Sequence, residues 1–113
     1  MRYRSPIDGG RYAAWLRRLR GKSGVYVVRE SWSGTVLYVG ESHTGHLYKT
    51  ITRHFQSWSG ATAGTYYHRD DVVVAVLELA ANKARRKQDE LIKRLSPRDN
   101  TYKTAPGGDF TPF

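Results

Sequence analysis

The chain has 113 residues, enough for one domain with a modest core and too few for two. Hydrophobic residues make up 39%, with 8 Tyr and 3 Trp, which excludes a disordered chain, and the lack of Cys excludes disulfides and thiolate metal sites. No apolar run approaches the roughly 20 residues of a membrane span, while 19 Lys plus Arg against 10 Asp plus Glu leave a net charge of +9 that attracts polyanions, nucleic acid foremost.

In chain order, the N-terminal Met1-Arg2-Tyr3-Arg4-Ser5-Pro6 carries no signal-type apolar stretch, and a reducing cytoplasm is the expected location. A first helix is predicted over about Gly9 to Arg20. Asp8 would cap it, Tyr12, Trp15, Leu16 and Leu19 fall at helical spacing, and Gly21-Lys22-Ser23-Gly24 ends it. Val25 to Arg29 and Thr35 to Val39 read as two strands of a hairpin turned at Ser31-Trp32-Ser33-Gly34. Gly40 to Gly45 reads as a polar loop. A second helix covers about His46 to Trp58, with Leu47, Ile51, His54, Phe55 and Trp58 as its buried stripe. Ser59 to Thr65 is small and flexible in composition.

Asp71 to Leu79 reads as a third strand, continuously apolar from Val72 to Leu77 and so covered on both faces. Asn82 is the expected cap of a third helix, about Lys83 to Leu95. Ala84, Gln88, Leu91, Ile92 and Leu95 share one of its faces, and Ser96-Pro97 stops it. Residues 1–102 form the expected domain and 103–113 an extended tail. The order helix, strand, strand, helix, strand, helix predicts an α+β fold: a small three-stranded mixed sheet flanked by helices.

Gly24-Val25-Tyr26 opens the first strand and Tyr38-Val39-Gly40 closes the second. A hairpin brings the two phenols onto one face, and the adjacent glycines would let backbone approach a ligand closely. With Arg53-His54-Phe55 on the next helix, then Leu91-Ile92 and Leu95-Ser96-Pro97-Arg98-Asp99-Asn100, the chain from Ser23 to Asn100 resembles the GIY-YIG nuclease family.

The resemblance implies phosphodiester hydrolysis with one divalent ion, magnesium or manganese. Tyr26 and Tyr38 would position or deprotonate the attacking water, His54 would hold a tyrosine or a phosphate oxygen, and Asn100 would support the site. Two positions depart from the family. Thr50 stands where an Arg is usual, with Arg53 three residues on as the nearest replacement on that face and Lys49 turned about 100° away. Gln88 stands where a metal-binding Glu is usual. A neutral amide is a poorer magnesium ligand, and Glu90 is turned about 200° from it. Glu41, just after Gly40, is the alternative metal ligand, brought in by a bend of the loop. Gln88 could equally be a structural residue bonded to a tyrosine hydroxyl.

Zinc is disfavoured, because His43 and His46 have no further ligands at recognised spacing. They either line the loop beside the site or are solvated. The basic residues fall into two groups, one around Arg17, Arg18 and Lys22, the other around Arg86 and Lys87 on the third helix. Together with His43, Lys49 and Arg69 they are the candidates for phosphate contacts. Tyr66-Tyr67-His68-Arg69 suits base stacking, although core packing explains the tyrosines better. The leading expectation is a metal-dependent endonuclease acting on DNA, with RNA second. The alternative is a degenerate domain of the same fold that binds nucleic acid without cutting it. Oligomeric state is left open.

Overall fold

The computed structural model describes residues 1–56 and 66–100. The expectations for Trp58, for residues 59–65 and for the tail from 103 lie outside these residues. The elements are β1 (Ile7–Asp8), β2 (Arg11–Tyr12), α1 (Ala14–Arg17), β3 (Gly24–Glu30), β4 (Val36–Ser42), α2 (Leu47–Arg53), β5 (Val72–Glu78) and α3 (Ala81–Leu95).

The first predicted helix is mostly not a helix. Gly9 and Gly10 have φ of 63° and 81°, and Asp8 pairs with Arg11, so β1 and β2 form a tight hairpin on a two-residue turn. Two consecutive positive φ values suit this turn and break a right-handed helix. Asp8 is thus a strand residue, and the short α1 follows Ala13 with no side-chain cap. Leu16 and Leu19 are nevertheless buried, as their spacing predicts.

The sheet has the order β4-β3-β5 and is wholly antiparallel, not mixed. β4 is joined to β3 by the hairpin, and β5 docks on the other edge of β3, which runs opposite to both. Residues 98–100 line the outer edge of β4: Arg98 N–H donates to Val36 O at 3.0 Å and Asp99 N–H to Leu37 O at 2.8 Å. On β5 the covering of both faces fades along the strand, from buried Val72, Val74 and Ala75 to exposed Leu77.

The sheet separates two cores. Tyr26, Val28 and Tyr38 face α1 and α2 and pack with Leu16, Leu47, Ile51 and Tyr67. Val25, Val27 and Val39 face α3 and pack with Leu91 and Ile92. Strand alternation makes this division. α3 begins at Ala81 after Ala80, so Asn82 lies in its first turn and does not cap it. α2 is shorter than predicted and ends with His54 at its C-cap. Among the described residues no helix is long and apolar enough to cross a membrane.

Candidate active site

Of the expected site residues, the two phenols and the imidazole come together, and the amides of Asn100 and Gln88 bond backbone instead. In the β3–β4 register Tyr26 lies opposite Gly40 and Val28 opposite Tyr38, so the two tyrosines are diagonal neighbours on one face, with ring centroids 6.2 Å apart. α2 runs over that face and delivers His54, whose Nε2 is 2.7 Å from the Tyr26 hydroxyl. The imidazole also packs on the Tyr38 ring at 4.6 Å and on the Tyr67 ring at 5.6 Å. Tyr26, Tyr38 and His54 are 1%, 6% and 7% exposed, so the bond between the phenol and the imidazole lies in a largely buried cluster.

Gly40 is required by the cluster itself. A Cβ there would fall 2.3 Å from both Cζ and the hydroxyl oxygen of Tyr26. The close approach that the sequence suggested for a ligand is therefore made by the protein's own ring. Gly24 likewise admits the neighbouring strand, since a Cβ would meet Leu77 O at 2.2 Å.

Tyr67, which the sequence offers for base stacking or core packing, bonds His54 directly, and Asp99, which has no expected role, holds Tyr67. Tyr67 N–H donates to His54 O at 2.7 Å, and its hydroxyl donates to Asp99 Oδ2 at 2.7 Å. Arg98 grips Asp99 through Nε at 2.9 Å and through a terminal nitrogen at 3.1 Å. Burial pushes the Asp99 carboxyl up, but the bonds from Arg98 and Tyr67 outweigh it and hold the group below its usual value. The run Arg98-Asp99-Asn100 was visible in the sequence. Its pairing with a tyrosine 32 residues away was not.

Asn100 bonds the backbone of β4 and not the phenols. Its Oδ1 accepts from Val39 N–H at 2.7 Å and its Nδ2 donates to Val39 O at 2.9 Å, so the amide pins β4 between Tyr38 and Gly40. Gln88 is buried on α3, and its Nε2 makes a marginal contact of 3.5 Å to the same Val39 O. Its observed partner is thus a backbone carbonyl and not a tyrosine hydroxyl.

Glu41 lies within β4, paired with Val25, and not in a loop free to bend. Alternation puts it on the same face of β4 as Val39, the face that α3 covers. Both of its carboxylate oxygens are 3.1 Å from His43 Nδ1. No group of three His, Cys, Asp or Glu side chains is gathered for a metal among the described residues. One carboxylate and one amide oxygen fit an ion that keeps most of its water, as magnesium does.

The predicted phosphate contacts do not form one track. Arg17, Arg18, Lys22, His43 and Lys49 belong to the α1–α2 side or the loop beside it, whereas Arg86 and Lys87 ride on α3 across the sheet. Lys87 is paired with Glu90 at 2.8 Å and holds that carboxyl below its usual value. Arg69 donates to Gly10 O at 3.1 Å and lies 5.7 Å from the Tyr12 ring, which ties it to the hairpin. Arg53 is half-buried beside His54, and Thr50 is half-buried one turn earlier. Tyr66 is 55% exposed and Tyr67 buried, so packing explains the second but not the first. The sequence matches no protein-family model, and no curated protein matches it.

Proposed function

We propose that this domain is a metal-dependent endonuclease of GIY-YIG type that hydrolyses DNA phosphodiester bonds. The carrying observation is the 2.7 Å bond between the Tyr26 hydroxyl and His54 Nε2, with Tyr38 packed on the same imidazole. In this reading His54 takes a proton from Tyr26 or through it, and Tyr26 and Tyr38 orient the water that attacks phosphorus. Arg53 neutralises charge on the phosphate oxygens, the role left open by Thr50. Asn100 holds β4 so that Tyr38 keeps its place. Glu41 and Gln88 would hold the ion, which when bound supplies positive charge for the departing oxygen.

A second reading has one specific observation in its favour. Gln88, a neutral amide, stands where the resemblance asks for a carboxylate, and it is already engaged with backbone. On that reading the domain binds DNA and does not cut it. The deciding experiment is nicking of supercoiled DNA with magnesium or manganese. Wild type should cut, and Tyr26→Phe should lose about 10²-fold or more of the rate while staying folded at the assay temperature, its stability lowered only by the about 1–3 kcal/mol of one buried hydrogen bond. Salt-sensitive binding without cleavage in either metal would establish the second reading.

A further inference from the structure

We infer that the cleft between the loop after α1 and the start of α2 is a subsite for one DNA backbone phosphate, placed away from the reacting one; this rests on the proposed DNA-binding reading. The cleft has a volume of about 200 Å³ and is lined by Arg20, Gly21, Gly45, His46, Tyr48 and Lys49. That size suits a phosphate group better than a base pair.

The cleft is built, and not a chance gap between side chains. Gly45 N–H donates to Ser23 Oγ at 2.9 Å and Leu47 N–H to Lys22 O at 3.0 Å, so the two wall segments are bonded to each other. Ser42 Oγ accepts from His46 N–H at 2.9 Å and fixes the second wall from the end of β4. Two of the lining residues, Gly21 and Gly45, bring no side chain into it.

Its charge is uncompensated. The Arg20 guanidinium lies 4.5 Å from the Tyr48 ring centroid, which orders it without neutralising it. Neither Arg20 nor Lys49 forms an ion pair among the described residues, whereas Lys87, Arg94 and Arg98 are paired with carboxylates. His46, which also lines the cleft, is held by a 2.9 Å bond between its Nδ1 and Thr44 Oγ1. A planar guanidinium, an ammonium and an imidazole around a small cleft are donors only, or can be, and match phosphate oxygens.

The spacing sets which phosphate. His46 and Lys49 are eight and five residues before His54, about 7–12 Å along a helix at 1.5 Å per residue. If α2 lies along the duplex axis, at 3.4 Å of rise per nucleotide, the cleft phosphate is about two to four nucleotides from the one at His54.

The test measures binding by fluorescence anisotropy to duplex oligonucleotides, each with one phosphate replaced by a neutral methylphosphonate. Wild type should lose about tenfold at one position. Arg20→Gln and Lys49→Gln should each lose about tenfold on unmodified DNA, be insensitive at that same position, and lower the salt slope by about one. Both side chains are exposed, and thermal melts of each variant check that the fold is kept. Variants that bind like wild type with an unchanged slope, or a loss spread evenly over all positions, would overturn the subsite. A wild type that binds DNA but never cuts leaves the subsite standing and removes the nuclease, and a wild type that binds no DNA removes both.

Discussion

Replacing Gly40 by Ala should unseat Tyr26 more severely than any other single-atom change near the cluster. The new Cβ would lie 2.3 Å from Cζ and from the hydroxyl oxygen of Tyr26 and 2.6 Å from Cε1, well inside van der Waals contact. The ring is 1% exposed and cannot swing outward, and its hydroxyl is held by His54 at 2.7 Å. Overpacking of this kind costs about 1–3 kcal/mol. A lost hydrogen bond that strands a buried partner costs about 1–3 kcal/mol more. The sum, about 2–6 kcal/mol, is a large part of the 5–15 kcal/mol typical of a whole domain. Thermal unfolding by circular dichroism should show a drop of about 10–25 °C. Tyr26→Phe added to Gly40→Ala should rescue little, because the Cζ and Cε1 contacts remain, whereas Tyr26→Leu should rescue most of the loss. A Gly40→Ala protein melting within a degree or two of wild type would refute the packing argument.

Three further outcomes follow from individual contacts. Asn100→Ala leaves Val39 N–H and C=O without their amide partner and should cost about 2–4 kcal/mol in urea unfolding, with faster hydrogen exchange at Val39. Asp99→Asn should destabilise the protein by about 1 kcal/mol at pH 7. The folded Asp99 carboxyl titrates below the ordinary 3.8, so its contribution is complete above that value and lost as pH falls below it, and urea curves of wild type and variant should draw together toward pH 2.5. Gln88→Glu should lower the melting temperature at pH 8 without metal, and magnesium should raise it more in the variant than in wild type.

The parts of the site that sequence revealed are those fixed by short-range periodicity. A hairpin with Tyr26 and Tyr38 at matching parity puts both rings on one face, and the 47/51 spacing aims the end of α2 at that face. Failures arose where two local signals competed or where the partner was remote. Tyr12, Trp15, Leu16 and Leu19 satisfy a helical period, but Gly9-Gly10 demands a turn, and the backbone requirement prevailed. Gly40 looked like the end of a strand because glycine weakens strands. It is retained mid-strand because Tyr26 occupies the volume of its missing side chain. Glu41 therefore stays in β4, and its side-chain direction is set by alternation. Asn100 to Val39 spans 61 residues, a pairing that no local pattern encodes.

The two functional readings part over the α3 face of β4. Val39 O already accepts from Asn100 Nδ2 at 2.9 Å and lies 3.5 Å from Gln88 Nε2. An amide suits this spot because it can turn a donor toward a carbonyl. A carboxylate has no donor when ionised, and would face an oxygen across a dry interface unless a cation lay between them. Gln88 is thus explained by the fold with no ion at all, and any positive charge for catalysis must be held chiefly by Glu41. Glu41→Gln removes that charge, and its backbone stays fixed by pairing with Val25. If the domain cuts DNA, this variant should lose cleavage by 10²-fold or more at saturating magnesium while still binding DNA and melting near wild type. Cleavage that survives Glu41→Gln would place the ion elsewhere and undo the assignment of the α3 face.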